Sequence, residues 1–99
     1  MKSTKKQKLV QEDLRKLLPM VPLSDFLEIE KIAGAGHLRH LPPTIISKQA
    51  ITTHIRHNHT EYDAYLAEGY DADSARHFVL DEMNEVIRLW GGSFKIEDK

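Results

Sequence analysis

The four prolines and five glycines of this 99-residue chain are gathered at a few places, and those places fix how long any regular element can be. The breaks are Pro19 to Pro22, Gly34 to Pro43, Gly69, and Gly91-Gly92. Proline lacks a backbone donor and clashes with the preceding helical turn, while glycine ends helices by adopting conformations other residues avoid. Between the breaks, apolar residues recur at three- and four-residue intervals, the period of a helix packed on one face. The chain therefore predicts an all-α, small single-domain bundle of four to five helices with a long C-terminal helix.

The first helix is expected over roughly Thr4 to Leu18, with Val10, Leu14, Leu17 and Leu18 on its buried face and Pro19 ending it. A short second helix starts at Ser24 as cap, or at Asp25 with Glu28 reaching back. Its buried stripe is Phe26, Ile29 and Ile32 or Ala33. The third starts at Ser47 and runs through Ala50, Ile51 and Ile55 to about Asn58. Thr60 followed by Asp63 resembles a capping box and predicts a fourth helix ending at Gly69, although one continuous third and fourth helix is equally open. The last helix, from about Ala72 to Trp90, is the spine of the expected fold. Ala75, Phe78, Val79, Met83, Val86, Ile87 and Trp90 line its core face, and no polar group is expected to converge on Phe78 and Trp90.

This reading divides the chain into a basic N-terminal segment over 1–16, partly disordered or the start of the first helix, a compact domain over 17–92, and a tail over 93–99. In that tail Phe94 and Ile96 alternate with polar residues, as in a short extended arm. There is no cysteine for a disulfide framework, and no apolar run approaches the roughly 20 residues that cross a bilayer. The basic start is not followed by the apolar block of a secretory signal, so cytoplasmic residence and no membrane partner are expected.

The formal net charge of −1 argues against a protein that coats nucleic acid by bulk electrostatics. The charge is uneven along the chain, however. Between Lys31 and Thr60 there are Lys31, Arg39, Lys48, Arg56 and five of the six histidines, with no acidic residue, whereas Glu61 onward is strongly acidic. An anionic partner is therefore expected to meet the first sixty residues.

The histidines are the unusual feature. His37 and His40 fall in the glycine- and proline-rich segment, and His54, His57 and His59 close the third helix. His54 and His57, three apart, share a helix face, and His59 joins them only where the helix ends. One reading is a divalent metal site, with His54, His57, His37, His40, His59 and Asp63 as candidate ligands. Against it, thiolates are absent and no His-Glu-x-x-His arrangement places a general base beside two ligands. A second reading is an anion-binding surface for nucleic acid or a phosphate-bearing ligand, built from Arg39, Lys48, Arg56, His37, His40, His54, His57, His59 and Tyr62, with Tyr62 or Tyr65 stacking on a base. The structural alternative is that Thr60 and Asp63 are only a helix cap, Tyr62 and Tyr65 only packing, and the histidines only partners of helix-end carbonyls.

No nucleophilic cysteine, phosphate loop or Gly-x-Ser-x-Gly turn accompanies these residues, so no catalytic residue is assigned and the leading expectation is a non-enzymatic binding module for an anionic partner. A metal-binding site or metal-dependent hydrolase is the alternative. A protein-interaction or self-associating domain, a homo-oligomer through the first helix, is the third.

The runs His37-Leu-Arg-His-Leu-Pro-Pro43, His54-Ile-Arg-His-Asn-His-Thr-Glu-Tyr-Asp63, Glu68-Gly-Tyr-Asp71, Ala75-Arg-His-Phe-Val79 and Trp90-Gly91 together resemble a family of small helical proteins from bacteria and fungi, domain of unknown function 2293. The resemblance extends over roughly Leu17 to Gly92. Its matching positions are His54, Arg56, His57, Thr60, Tyr62, Asp63, Gly69, Ala75, Arg76 and Trp90. It implies a compact helical domain and supplies no catalytic assignment for any of them.

Overall fold

The computed structural model describes residues 4–97. These residues form α1 (Lys5–Leu17), α2 (Leu23–Ala33), α3 (Pro43–Asn58), α4 (Tyr62–Ala67) and α5 (Ala72–Leu89), with a 3-10 turn at Gly36–Leu38 between α2 and α3. No strand occurs among the described residues. The all-α expectation holds, and α5 is the longest element. No helix among the described residues is long and apolar enough to cross a membrane.

The local chemistry accounts for most helix boundaries. α1 opens on a capping box, in which the Thr4 hydroxyl accepts from the Gln7 amide at 3.1 Å and Gln7 Oε1 accepts from the Thr4 amide at 2.8 Å. Lys5, Lys6 and Lys8 thus belong to α1, while Lys2 lies outside the described residues. α3 begins at Pro43, four residues before the expected Ser47, because proline at the first helical position gives up only an amide that lacks an intrahelical partner anyway. Ser47 is instead fully buried one turn in, donating its hydroxyl to the Pro43 carbonyl at 2.9 Å.

Three other expectations change. α2 is capped by neither Ser24 nor Asp25: its cap residue is Pro22, which has no side-chain donor or acceptor to offer, and Asp25 turns inward to another task. α3 and α4 are separate helices. The Thr60 hydroxyl donates to the Arg56 carbonyl and accepts from the Tyr62 amide at 3.2 Å, which turns the chain at 59–61. Phe78 is 45% exposed rather than core. Ala75, Val79, Met83 and Ile87 occupy the buried stripe of α5, and Phe78 lies roughly 120° from its centre, tilted against Tyr65 and edge to face with Tyr70 at 5.2 Å each.

The central element is α3 rather than α5. It packs against α1, α2, α4 and α5, and its Ala50, Ile51 and Ile55 are wholly enclosed. At the end of α5, Gly91 adopts a left-handed φ of 81°. The chain then runs back along the bundle without regular structure, and Phe94 and Ile96 pack against the core. Asn84 clasps this arm from both sides of Ile96, accepting from its amide at 2.7 Å and donating to its carbonyl at 3.0 Å. The Met20 amide donates to the Trp90 carbonyl at 2.9 Å, tying the α1–α2 connection to the end of α5. That bond brings Trp90 to the start of α2, where the candidate site is found.

Candidate functional site

Four segments converge on one point: the first turn of α2, the last turns of α3, the residue after α3, and the residue after α5. They bring Asp25, His54, His59 and Trp90 together. His54 lies on the α3 face defined by Ala50, Ile51 and Ile55, so the packing that buries those residues buries it too, to 3% exposure. The helix ends at Asn58, and His59, whose amide still donates to the Ile55 carbonyl at 2.8 Å, folds back beside His54. Their rings meet edge to face at 5.5 Å, and His59 stands on Trp90 at 5.1 Å.

Asp25 lies between the two imidazoles. Its Oδ1 is 2.7 Å from Nε2 of His54 and 2.7 Å from Nε2 of His59. Burial pushes the Asp25 carboxyl up, but the hydrogen bonds from His54 and His59 outweigh it and hold the group below the ordinary aspartate range. An ionised carboxylate can only accept, so both Nε2 atoms carry hydrogen and donate to it.

Asn58 fixes the rest of the proton arrangement. Its Nδ2 is 3.1 Å from the His54 carbonyl and 3.3 Å from His54 Nδ1. Because a carbonyl can only accept, the amide must present its NH2 group there, and Nδ1 of His54 is therefore the bare acceptor nitrogen. In this arrangement Nε2 of His54 donates to Asp25 and Nδ1 accepts from Asn58.

Several of the residues singled out from sequence lie elsewhere. His57 faces away from His54, its Nδ1 2.7 Å from Asp63 Oδ1 and its ring against Tyr62 at 5.4 Å. Asp63 is thereby engaged with α3 and does not cap α4, whose cap residue is Glu61. Arg56 lies over the Tyr62 ring at 5.3 Å. Lys48 covers Phe94 at 5.7 Å. His37, Arg39 and His40 are exposed on the turn before α3, where the Arg39 carbonyl accepts from Lys6. Eleven residues of helix at about 1.5 Å each separate Pro43 from His54, so the two histidine groups stand roughly 16 Å apart along α3. The acid-free stretch of sequence is also not acid-free in space, since α2 and α4 lay Asp25 and Asp63 against it.

Asp25, Asn58 and Trp90 were not among the expected site residues. Asp25 carries an ordinary explanation as a first-turn acid, and nothing local connects it to a histidine 29 positions later.

The model of an uncharacterised conserved protein family, DUF2293, matches residues 13–91. This chain belongs to the DUF2293 family. The matched span holds every residue of the Asp25–His54–His59 cluster together with Asn58 and Trp90. Within this DUF2293 chain it leaves out the start of α1 and the C-terminal arm. No curated protein and no solved structure matches the chain significantly.

Proposed function

We propose that this DUF2293 chain is a non-enzymatic binding module whose working site takes a divalent transition metal on Asp25, His54 and His59. The observation that carries this reading is the grouping itself: one donor atom from each of the three residues lies within 4.8 Å of the other two, on three separate segments of the chain. Two imidazoles and a carboxylate suit Zn²⁺ or its neighbours rather than Mg²⁺ or Ca²⁺.

The metal-free geometry defines what binding requires. Ligands about 2.0–2.1 Å from tetrahedral zinc lie roughly 3.3 Å from one another. The two 2.7 Å contacts to Asp25 must therefore open by about half an ångström. Each Nε2 must also give up its hydrogen, which a neutral imidazole does by carrying it on Nδ1 instead. At His54 that brings N–H against the NH2 of Asn58, two donors facing each other, so Asn58 has to turn away. It is exposed and free to do so.

Three protein ligands leave a coordination position open on the His59 side, where the imidazole is one-third exposed. An anionic group is a natural fourth ligand there, which reconciles metal binding with the anionic partner expected from charge.

Zinc titrated calorimetrically into untagged, chelator-treated protein tests the proposal. One equivalent is expected, weakened at least tenfold by His59→Gln and unchanged by a His37→Gln/His40→Gln double variant. Absence of binding, or equal binding by His59→Gln, would refute it.

A further inference from the structure

A second site lies on the opposite side of α3 from the histidine cluster. A cavity of about 300 Å³ opens between the end of α3, the flank of α5 and the C-terminal arm. Its walls carry two arginines, Arg56 and Arg76, and two acids, Asp73 and Glu97, over an apolar floor that includes Leu80 and Met83.

The arginines are not equivalent. Arg76 donates from Nη1 to Asp73 at 3.1 Å, an exposed pair one helical turn apart. Arg56 has no ion pair among the described residues, and its Nε–H is buried with no hydrogen-bond partner. Its guanidinium lies over the Tyr62 ring and feels the positive charge of Arg76; burial, and then Arg76, lower its affinity for its proton. A buried donor left unmatched costs about 1–3 kcal/mol, and two like charges side by side add to the cost. An oxyanion held between the arginines relieves their mutual repulsion, and a small turn of the Arg56 side chain toward the cavity lets its fork of donors, Nε–H included, match carboxylate or phosphate.

From this pairing of an unpartnered guanidinium Nε–H with a neighbouring cavity, we propose that the Arg56–Arg76 cavity is a binding site for a small molecule that carries one oxyanion group on an apolar body. The size is at the lower end for small-ligand sites. The two carboxylates bring the net charge of the walls to zero, so a single anionic group is accepted, whereas the closely spaced phosphates of a nucleic acid would meet Asp73 and Glu97. The apolar floor suits a hydrocarbon or aromatic body better than a bare inorganic ion. The site is independent of the metal reading, because it shares neither ligands nor face with Asp25, His54 and His59.

Benzoate, phenyl phosphate, inorganic phosphate and a mixed-sequence 20-mer oligonucleotide are the probes, titrated at low salt while the Arg56 side-chain Nε–H resonance is followed by NMR. Saturable binding of benzoate or phenyl phosphate, at least tenfold tighter than inorganic phosphate, is expected, with a larger shift for whichever oxyanion shape the fork prefers. Arg56→Lys keeps the charge but loses the fork and is expected to lose at least tenfold. Arg76→Gln, farther from the buried donor, loses less. The proposal is overturned if neither aromatic probe saturates, if Arg56→Lys binds as the parent does, or if the oligonucleotide binds more tightly than either. Circular dichroism of each variant confirms that the helices remain formed, and where Arg56→Lys unfolds, Arg76→Gln and the probe series on the parent protein decide the matter.

Discussion

Replacing Asp25 by alanine should cost this small domain a large part of its stability, through a side chain that the sequence presents only as a candidate helix cap. Asp25 accepts from a fully buried donor, Nε2 of His54, and from a partly exposed one, Nε2 of His59. Hydrogen bonds to a charged acceptor contribute about 1.5–3 kcal/mol each when buried. The exposed His59 is re-solvated on loss of its partner, so it adds about 0–1 kcal/mol. The favourable placement of a negative charge in the first turn of α2 adds about 0.3–1 kcal/mol. The sum is roughly 2–5 kcal/mol, against about 5–15 kcal/mol for a typical domain. Urea denaturation at pH 7 in the presence of chelator measures it without any metal contribution. Asp25→Asn, which keeps one acceptor oxygen but no charge, should fall about midway. Ser24→Ala, at one of the two residues expected from sequence to cap α2, should change stability by no more than about 0.5 kcal/mol. If Asp25→Ala comes within about 0.5 kcal/mol of the parent, or costs less than Ser24→Ala, the cluster is not a significant source of stability and the reasoning fails.

The acid limb of stability should carry the same signature. The folded carboxyl of Asp25 ionises below its unfolded value of about 3.9, so its contribution is complete above that pH and is lost as pH falls through the folded value. Metal-free Asp25→Asn should therefore approach the parent's stability as pH falls through the folded value, measured by thermal melts, and a constant gap at every pH would contradict the assignment. Asn58→Asp supplies an acceptor for the Nδ1–H that zinc-bound His54 must carry, and calorimetry should show about 10-fold tighter zinc binding or better; weaker binding would mean that His54 is not a ligand through Nε2. Gly92→Ala places a Cβ 2.6 Å from Ile87 Cγ2 and 3.1 Å from the carbonyl oxygens of Ile87 and Leu17. Two of those atoms are backbone, so a loss of about 1–3 kcal/mol is expected by denaturation. Phe78→Ala should cost about 1 kcal/mol, as befits a surface aromatic cluster, where a core phenylalanine would cost about 3–5.

Helix number and approximate ends were legible because they are local: glycine and proline stop helices, and a buried stripe repeats with the turn. The start of α3 was read four residues late because proline reads as a breaker, although it is also well tolerated at the first helical position. Phe78 was misread because a broad apolar stripe on α5 does not reveal which of its edges faces water. The candidate site was half visible. His54 and His59 stood out as residue types, and the end of α3 at Asn58 is the condition under which they meet. Their partner Asp25 could not be read from the sequence, since its place depends on how α2 lies against α3. The charge segregation was real along the chain and was undone by packing, because the histidines at the two ends of α3 are separated by the helix and approached by acids from α2 and α4.

The central claim is that Asp25, His54 and His59 form one proton-linked cluster able to exchange its two hydrogens for a metal ion. Long-range ¹H–¹⁵N correlation spectra of the histidine side chains, recorded on untagged protein before and after one equivalent of Zn²⁺, read this directly. Nε2-protonated tautomers of His54 and His59 are predicted in the metal-free protein, and zinc should move both protons to Nδ1 while His37 and His40 keep their signals. An Nδ1-protonated His54 without metal, or zinc shifts spread evenly over all six histidines, would contradict the account.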